Sequence, residues 1–461
     1  MSVADAAIIG AGVVGCAIAR RLTLDGAQVI VVEKAHDILD GASKGNSAIL
    51  HTGFDAPVGS LEQSCVAAGH AEYLEIHERL GLPLMRSGAL VLAWTEEEEA
   101  RLPELIAQAR QNGVDDADLK TAAQLLRLEP HLSPKVRAGF AVPREFIIDP
   151  WSAPYAYLLQ AIANGAVLKR GCTLKSGSYD GSIWNLETTL EPIQARAVIN
   201  AAGLYGDRVH ELLTGERRFV VKPRKGQFVV YDKPAADLVT SILLPVPSKT
   251  TKGIVVCRTA FGNLLVGPTA EDQDDRENAS IDTGVLNNLK ARGEEIVPAL
   301  RDVDVTAVYA GLRPATEFKD YQIIANSALR LITAGGIRST GLSSALGLAR
   351  HISELYESLG RKHTPLANAE WPRVSNICEY AQRSWQLPGN GGIVCHCEKV
   401  TRAEIESALS GSLPAQTPAG IKRRTRATLG RCQGFYCTAE LAQMTAGRLA
   451  QPYAGETHGA R

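Results

Sequence analysis

An α/β fold is predicted from three observations. Near the N-terminus an apolar strand runs into G-x-G-x-x-G and a helix. The middle of the chain carries alternating, turn-punctuated strands. Four cysteines cluster near the C-terminus beside short helical patterns.

The first stretch, residues 6–33, organises the rest. Ala6, Ala7, Ile8 and Ile9 form the strand, followed by Gly10, Gly12 and Gly15, an amphipathic helix, a turn at Gly26 and a second apolar strand ending on Glu33. Gly10 allows the tight turn, Gly12 lets backbone approach a pyrophosphate, and Gly15 lets helix and strand pack closely. The helix N-terminus presents free N–H groups and partial positive charge to phosphate. Glu33, about 20 residues on, is placed for ribose hydroxyls. Strand, glycines, helix, second strand and acid fall in register, so a Rossmann-like dinucleotide unit is expected rather than an unadorned βαβ unit.

The chain has 461 residues, more than one ordinary core, so two or three domains are expected. Apolar residues make up 45% and charged residues 21%, which describes a globular chain. A formal net charge of −1 argues against nucleic acid or an anionic membrane as the main partner. No apolar run approaches the ~20 residues of a membrane span, and the first apolar residues are consumed by a strand rather than a signal peptide. The expected compartment is the cytoplasm. Of nine cysteines, five are scattered and read as buried thiols.

Residues 40–60 form a Gly/Ser/Asn-rich loop whose small residues let backbone lie against a ligand. Ser60 with Gln63 opens a helix to about Leu80, and Thr95 with Glu98 caps another through about Gln111. Residues 88–94 read as a strand, and Trp151 to Asn164 as an apolar helix. In 195–209 a buried strand leads to Ala201, Ala202 and Gly203, a second close backbone approach. Residues 216–330 suggest a largely antiparallel sheet roofing a substrate. A strand then meets Gly335 and Gly336, and a helix begins near Gly341, giving a second helix N-terminus able to face a cofactor. Residues 360–392 are rich in Pro, Asn and Gly and read as a linker.

Taken together, IIGAGVVG with Glu33, INAAGLYGDRV, GLRPAT and LITAGGIRSTGLSSALGLA resemble the D-amino-acid-oxidase/glycerol-3-phosphate-dehydrogenase superfamily, 2-hydroxyglutarate-dehydrogenase-like members included, over roughly the first 370 residues. The resemblance implies FAD rather than NAD. Gly10, Gly12, Gly15 and Glu33 would hold the ADP half, with Ala202 and Gly203 in the same groove. Gly336, Ser339, Gly341 and Leu342 would cover the flavin side. Ser43, Asn46 and Ser47, with His51, would lie along the ribityl chain and ring. The implied organisation interleaves FAD-binding parts (1–85, 145–215, 330–360) with substrate parts (86–144, 216–329), then a linker (371–392) and a module (393–461).

Two residues carry the chemistry expected of this resemblance. Arg313, in GLRPAT, stands where the family often clamps an anionic substrate, and a planar guanidinium suits carboxylate or phosphate. The alternative is a surface arginine beside a proline turn. His51, in LHTGF, resembles the family's HxG segment. A neutral imidazole there takes the hydroxyl proton while hydride leaves the same carbon. Other roles open to it are hydrogen bonding to the flavin or covalent attachment. Arg338, Lys249 and Lys252 are further candidates for reading charge. Phe54-Asp55 replaces the arginine that glycerol-3-phosphate dehydrogenases tend to carry after the histidine, and so leans toward 2-hydroxyglutarate. A small anionic hydroxy substrate is expected, either a 2-hydroxy acid or glycerol 3-phosphate; an amino-acid or opine-type amine is the alternative.

The C-terminal segment reads C-x-C (Cys395, Cys397), then C-x4-C (Cys432, Cys437), with a capping box at Thr401 and Glu404 and a second helix expected from Cys432 or shortly after. It resembles the bacterioferritin-associated-ferredoxin-like [2Fe-2S] module. Four thiolates suit such a cluster or a structural zinc, and zinc more often uses C-x2-C pairs. Lys422, Arg423, Arg424, Arg426 and Arg431 are expected either to raise a cluster's potential or to form a solvated basic face. The combination implies a dehydrogenase passing electrons singly toward a hetero-oligomeric partner protein or quinone, with peripheral membrane association only through that partner. The rival is a flavoprotein whose cluster is structural or sensory.

Overall fold

The computed structural model describes residues 3–247 and 253–453, and everything below concerns those residues. Lys249 and Lys252 lie outside them.

The N-terminal pattern folds as read. The strand Ala4–Ile9 pairs in parallel with Val29–Glu33 on one side and Ile193–Asn200 on the other. Val167–Arg170 and Leu331–Gly335 extend this parallel core, and Gln322–Asn326 closes one edge antiparallel. A hairpin, Leu174–Tyr179 with Trp184–Thr188, joins off the path to complete eight strands. The helices Val13–Leu24, Leu61–Leu80, Ser152–Ala163 and Gly341–Ser358 contribute Ile18, Tyr73, Tyr157 and Ile352 to one continuous core against the sheet. Every residue of Leu331–Gly335 is buried, as a parallel strand covered by helices requires.

The second sheet has nine strands and is largely antiparallel, as expected of the central stretch, with one parallel pairing between Ala89–Ala93 and Ile242–Pro245. Its strand Val305–Arg313 pairs with Arg224–Tyr231 along its whole length. Neither sheet closes into a barrel.

Local reading and the structure differ in several places. The helix expected from Thr95 to Gln111 is two, Glu96–Ala100 and Leu102–Gln111, because Pro103 restarts it in the first turn of the second. The helix expected at Cys432 begins at Thr438, because residues 432–437 wrap as turns around the Cys432 sulfur. Helices Thr283–Ile296 and Pro418–Thr425 were not expected at all. Residues 371–392, read as a linker, form a strap held against its neighbours. Val374 N–H donates to the Leu80 carbonyl, Trp371 lies under Arg79 and Arg20, and Arg383 donates to the Ile377 carbonyl and to Glu404.

Candidate active site and cluster-binding cysteines

The glycine signature builds a close three-way crossing. Gly10 has φ +109°, and a Cβ there would stand 2.6 Å from the Ala201 carbonyl oxygen. A Cβ on Gly15 would stand 1.9 Å from the Gly10 oxygen. Only glycine permits this approach of helix, strand and the Ala201–Gly203 turn. Ser43 Oγ accepts from Val13 N–H at 3.0 Å, so the 42–47 loop lies over the helix N-terminus. Glu33 is buried; its carboxylate accepts from Ala11 N–H at 2.7 Å and Ala35 N–H at 2.9 Å. Burial pushes its carboxyl pKa up, against those two hydrogen bonds. That ties the acid to the glycine loop it was expected to serve.

From there a pocket of about 160 Å³ opens between the two sheets. Its floor is Gly12, Ser43, Asn46, Ser47, Gly203 and the turn Gly336, Ser339, Gly341, Leu342. Its roof, which sequence reasoning missed except for Arg313, is Gly226, Phe228, Pro268 and Gly311. A Cβ on Gly226 would lie 2.7 Å from an Arg313 guanidinium nitrogen, so that glycine makes room for the arginine. Gly311 does the same for the 42–47 loop, since its Cβ would meet the Gly45 oxygen at 2.7 Å. Tyr309 stacks on Phe228 (centroids 4.6 Å apart) and donates to the Asn46 carbonyl at 2.7 Å, fastening roof to floor. A cradle with no room for side chains, backed by a helix N-terminus, fits the ADP and flavin of FAD.

Arg313 is no surface residue. It lines the pocket, donates to the Thr269 carbonyl, and burial together with the neighbouring Arg224 pushes its pKa down to about 10, still charged at neutral pH. A half-buried cation with two carbonyl contacts and, among the described residues, no carboxylate within salt-bridge distance attracts an anion. Arg338 lines the same pocket but is partly spoken for: it donates to the Lys319 carbonyl and lies 3.7 Å from Glu62.

His51 does not line the pocket; its backbone N–H donates to Ser343 Oγ at 2.9 Å, next to pocket residue Leu342. Its Nδ1 lies 2.7 Å from Oε2 of Glu145, a wholly buried carboxylate that also accepts from Thr52 N–H and Oγ1. In the neutral ring, donation of Nδ1–H to this carboxylate leaves Nε2 as the nitrogen able to accept a proton. Glu145 sits 94 residues away in a turn, and no local pattern betrays it.

The four C-terminal cysteines converge in two contacting pairs, Cys397 with Cys432 and Cys395 with Cys437. Among the described residues no three His, Cys, Asp or Glu side chains surround a single ion position. Two pairs of thiols suit two irons bridged by sulfide better than one zinc. The N–H groups of Tyr436, Gly434 and Phe435 hold the Cys432 thiol below its ordinary pKa, whereas burial pushes the Cys397 and Cys437 thiols up.

Four of the five basic residues before Cys432 make specific contacts rather than a uniformly solvated face. Arg424 forms a two-pronged pair with Asp37, Arg423 donates to the Ile38 carbonyl, Arg426 pairs with Glu398 at 2.8 Å and stacks 4.0 Å over Phe261, and Arg431 pairs with Asp232. They clamp the module to the flavin-type domains. Their partners come from distant sequence, so a local reading of charge had no access to them.

A nucleotide cradle under an arginine-bearing roof, with paired thiols docked alongside, defines the class: a flavin- and iron–sulfur-dependent oxidoreductase. Comparison with known proteins agrees. Residues 5–355 match the FAD dependent oxidoreductase family and residues 393–446 the BFD-like [2Fe-2S] binding domain. The chain therefore belongs to the FAD dependent oxidoreductase family, as an enzyme acting on CH–OH that takes FAD and a [2Fe-2S] cluster. It is 32% identical over 453 residues to a glycerol 3-phosphate dehydrogenase of Caloramator mitchellensis, covering 96% of this chain and 94% of that one. It is 23% identical to one of the subunits of the anaerobic glycerol-3-phosphate dehydrogenase of Escherichia coli K12, covering 95% of this chain and 87% of that one. The structure superposes on dithionite-reduced L-α-glycerophosphate oxidase of Mycoplasma pneumoniae with FAD bound, at a TM-score of 0.75 and 28% identity over 82% of this chain and all of that one. No described helix is long and apolar enough to cross a membrane.

Proposed function

We propose that this chain is a glycerol-3-phosphate dehydrogenase whose electrons leave through the C-terminal cluster to a partner protein. The observation that carries the substrate reading is the half-buried Arg313 guanidinium, which lines the pocket and contacts two carbonyls. With Arg338, which lines the same pocket, it offers two cations to a phosphate dianion. FAD, when bound, supplies a two-electron hydride acceptor. The protein's part is to orient and deprotonate: Arg313 fixes the anionic end, and Glu145, through its contact with Nδ1, orients the His51 ring so that Nε2 takes the hydroxyl proton. Gly10, Gly12, Gly15, Glu33, Ser43, Asn46, Ser47, Ala202, Gly203, Gly336, Ser339, Gly341 and Leu342 are the proposed FAD contacts, and Cys395, Cys397, Cys432 and Cys437 the proposed cluster ligands. Lys252 remains a candidate for the substrate from sequence alone.

A packed series supports the electron route. Trp151 donates to the Lys44 carbonyl beside the pocket, stacks on Phe261 (6.1 Å), and Phe261 lies under Arg426, whose partner Glu398 adjoins Cys397. The similarity to one member of a multi-subunit anaerobic glycerol-3-phosphate dehydrogenase supports a hetero-oligomeric acceptor. A 2-hydroxy acid is the second reading, favoured by Phe54, which is buried against Phe140 and offers no charge after the histidine.

Anaerobic stopped-flow absorbance tests this reading. Glycerol 3-phosphate should bleach the flavin band and then the iron–sulfur shoulder. Bleaching by L-2-hydroxyglutarate alone would replace the substrate, and flavin bleaching with a cluster that stays oxidised in the absence of any acceptor would remove the route.

A further inference from the structure

A second cavity, of about 300 Å³, lies between the domains and shares no wall residue with the flavin pocket. Its flavin-domain wall carries Leu39, Trp151 and Tyr155; its module wall carries Ala408, Arg423 and Arg424, with Arg373 from the strap. Cavities of this size at domain boundaries are where small ligands bind.

The charge around it is unbalanced. Arg170, Arg423 and Arg424 share one buried carboxylate, Asp37, and one half-exposed carboxylate, Asp40. The side chains of Arg423 and Arg424 are each only 7% exposed, and the Nε of each lacks a hydrogen-bond partner. A buried N–H left unmade on a cation is costly, and native structures rarely carry two side by side without a ligand or water. Two carboxyls face the cavity, and neither offsets this charge. Glu404 is held by Arg383 and by Thr401 N–H. Asp149 accepts from the N–H groups of Trp151 and Ser152, and burial pushes its pKa up, toward the neutral form. Ser407, Ser410 and Ser412 lie on the module side, while the other side brings the rings of Trp151, stacked on Phe261, and Tyr155, which lies 4.9 Å under the Arg424 guanidinium.

We propose that this cavity binds a phosphate monoester carried on a planar, apolar body, with the phosphate at Arg423 and Arg424 and the body against Trp151 and Tyr155. Because the walls come from both domains, occupancy braces the module against the flavin domain. The site is separate from the one proposed for the reaction and stands whether or not that reading holds.

Isothermal titration of the full-length, FAD-loaded protein with phenyl phosphate tests it, with the flavin spectrum recorded throughout. Binding that leaves the flavin spectrum unchanged, and that weakens about tenfold or more in both Arg423→Gln and the cavity-filling Ala408→Phe, is expected. Ala408→Phe keeps every arginine, so it guards against loss of fold in the first variant. No measurable binding at millimolar phenyl phosphate overturns the proposal. So does equal affinity in wild type and both variants, or binding that always perturbs the flavin. Equal affinity for inorganic phosphate and phenyl phosphate overturns the monoester class.

Discussion

Nδ1 of His51 and Oε2 of Glu145 lie 2.7 Å apart, and the carboxylate is wholly buried while the imidazole side chain keeps 19% of its surface exposed. The pair sets which ring nitrogen is basic. Glu145→Gln keeps an acceptor for Thr52 but can turn an amide N–H toward Nδ1, moving the ring proton to Nε2. Flavin reduction at saturating substrate should fall about 10²-fold or more, the scale of general-base catalysis, with FAD still bound. An unchanged reduction rate in stopped flow removes both residues from the proton path.

Arg313→Ala should raise KM about 10- to 100-fold, the worth of a charge-assisted hydrogen bond, with the flavin spectrum unchanged. Gly226→Ala should act in the same direction by crowding the guanidinium from 2.7 Å. Steady-state kinetics with glycerol 3-phosphate checks both.

Cys432→Ser should abolish the iron–sulfur absorption, and iron and sulfide analysis should fall to background, with the flavin band retained. Substrate should still bleach the flavin, because the FAD cradle takes no residue from the module. Zinc in the wild-type protein by elemental analysis, without sulfide, is the result that rejects the cluster assignment.

Asp37 is buried against Arg424. Burial alone raises its pKa, but the adjacent guanidinium overrides this and the net shift is downward. A carboxyl whose folded pKa lies below its unfolded value of about 3.9 contributes stability that is full above that value. The contribution is lost as pH falls through the folded pKa. Calorimetry should therefore show a melting temperature steady from pH 8 to 5 and declining below about pH 4. Asp37→Ala, which strands the arginine, should cost about 3–5 kcal/mol at neutral pH.

How much the sequence revealed depended on range. The glycine loop, Glu33, the Ala201–Gly203 turn and the Gly336–Leu342 turn were legible because each is a local demand on backbone shape. Arg313 was visible through GLRPAT, but Gly226 opposite it was not, because its reason is a neighbour 87 residues away on another strand. Glu145 escaped for the same cause. The basic stretch misled because charge in a sequence says nothing about which distant carboxylate will meet it. At 371–392 the Pro- and Asn-rich composition carried no trace of the Leu80 and Glu404 partners that hold the segment down.

The clamp between Asp37 and Arg424 bears on how such a gene is cut and joined. A stop codon before residue 393 would not release an intact flavoprotein. It would leave Asp37, 1% exposed in the whole chain, facing water beside Ile38 and Leu39, which are equally hidden. Chains of this family that end without the module should therefore carry polar residues along that edge, and grafting the module onto one of them would require changing both faces at once.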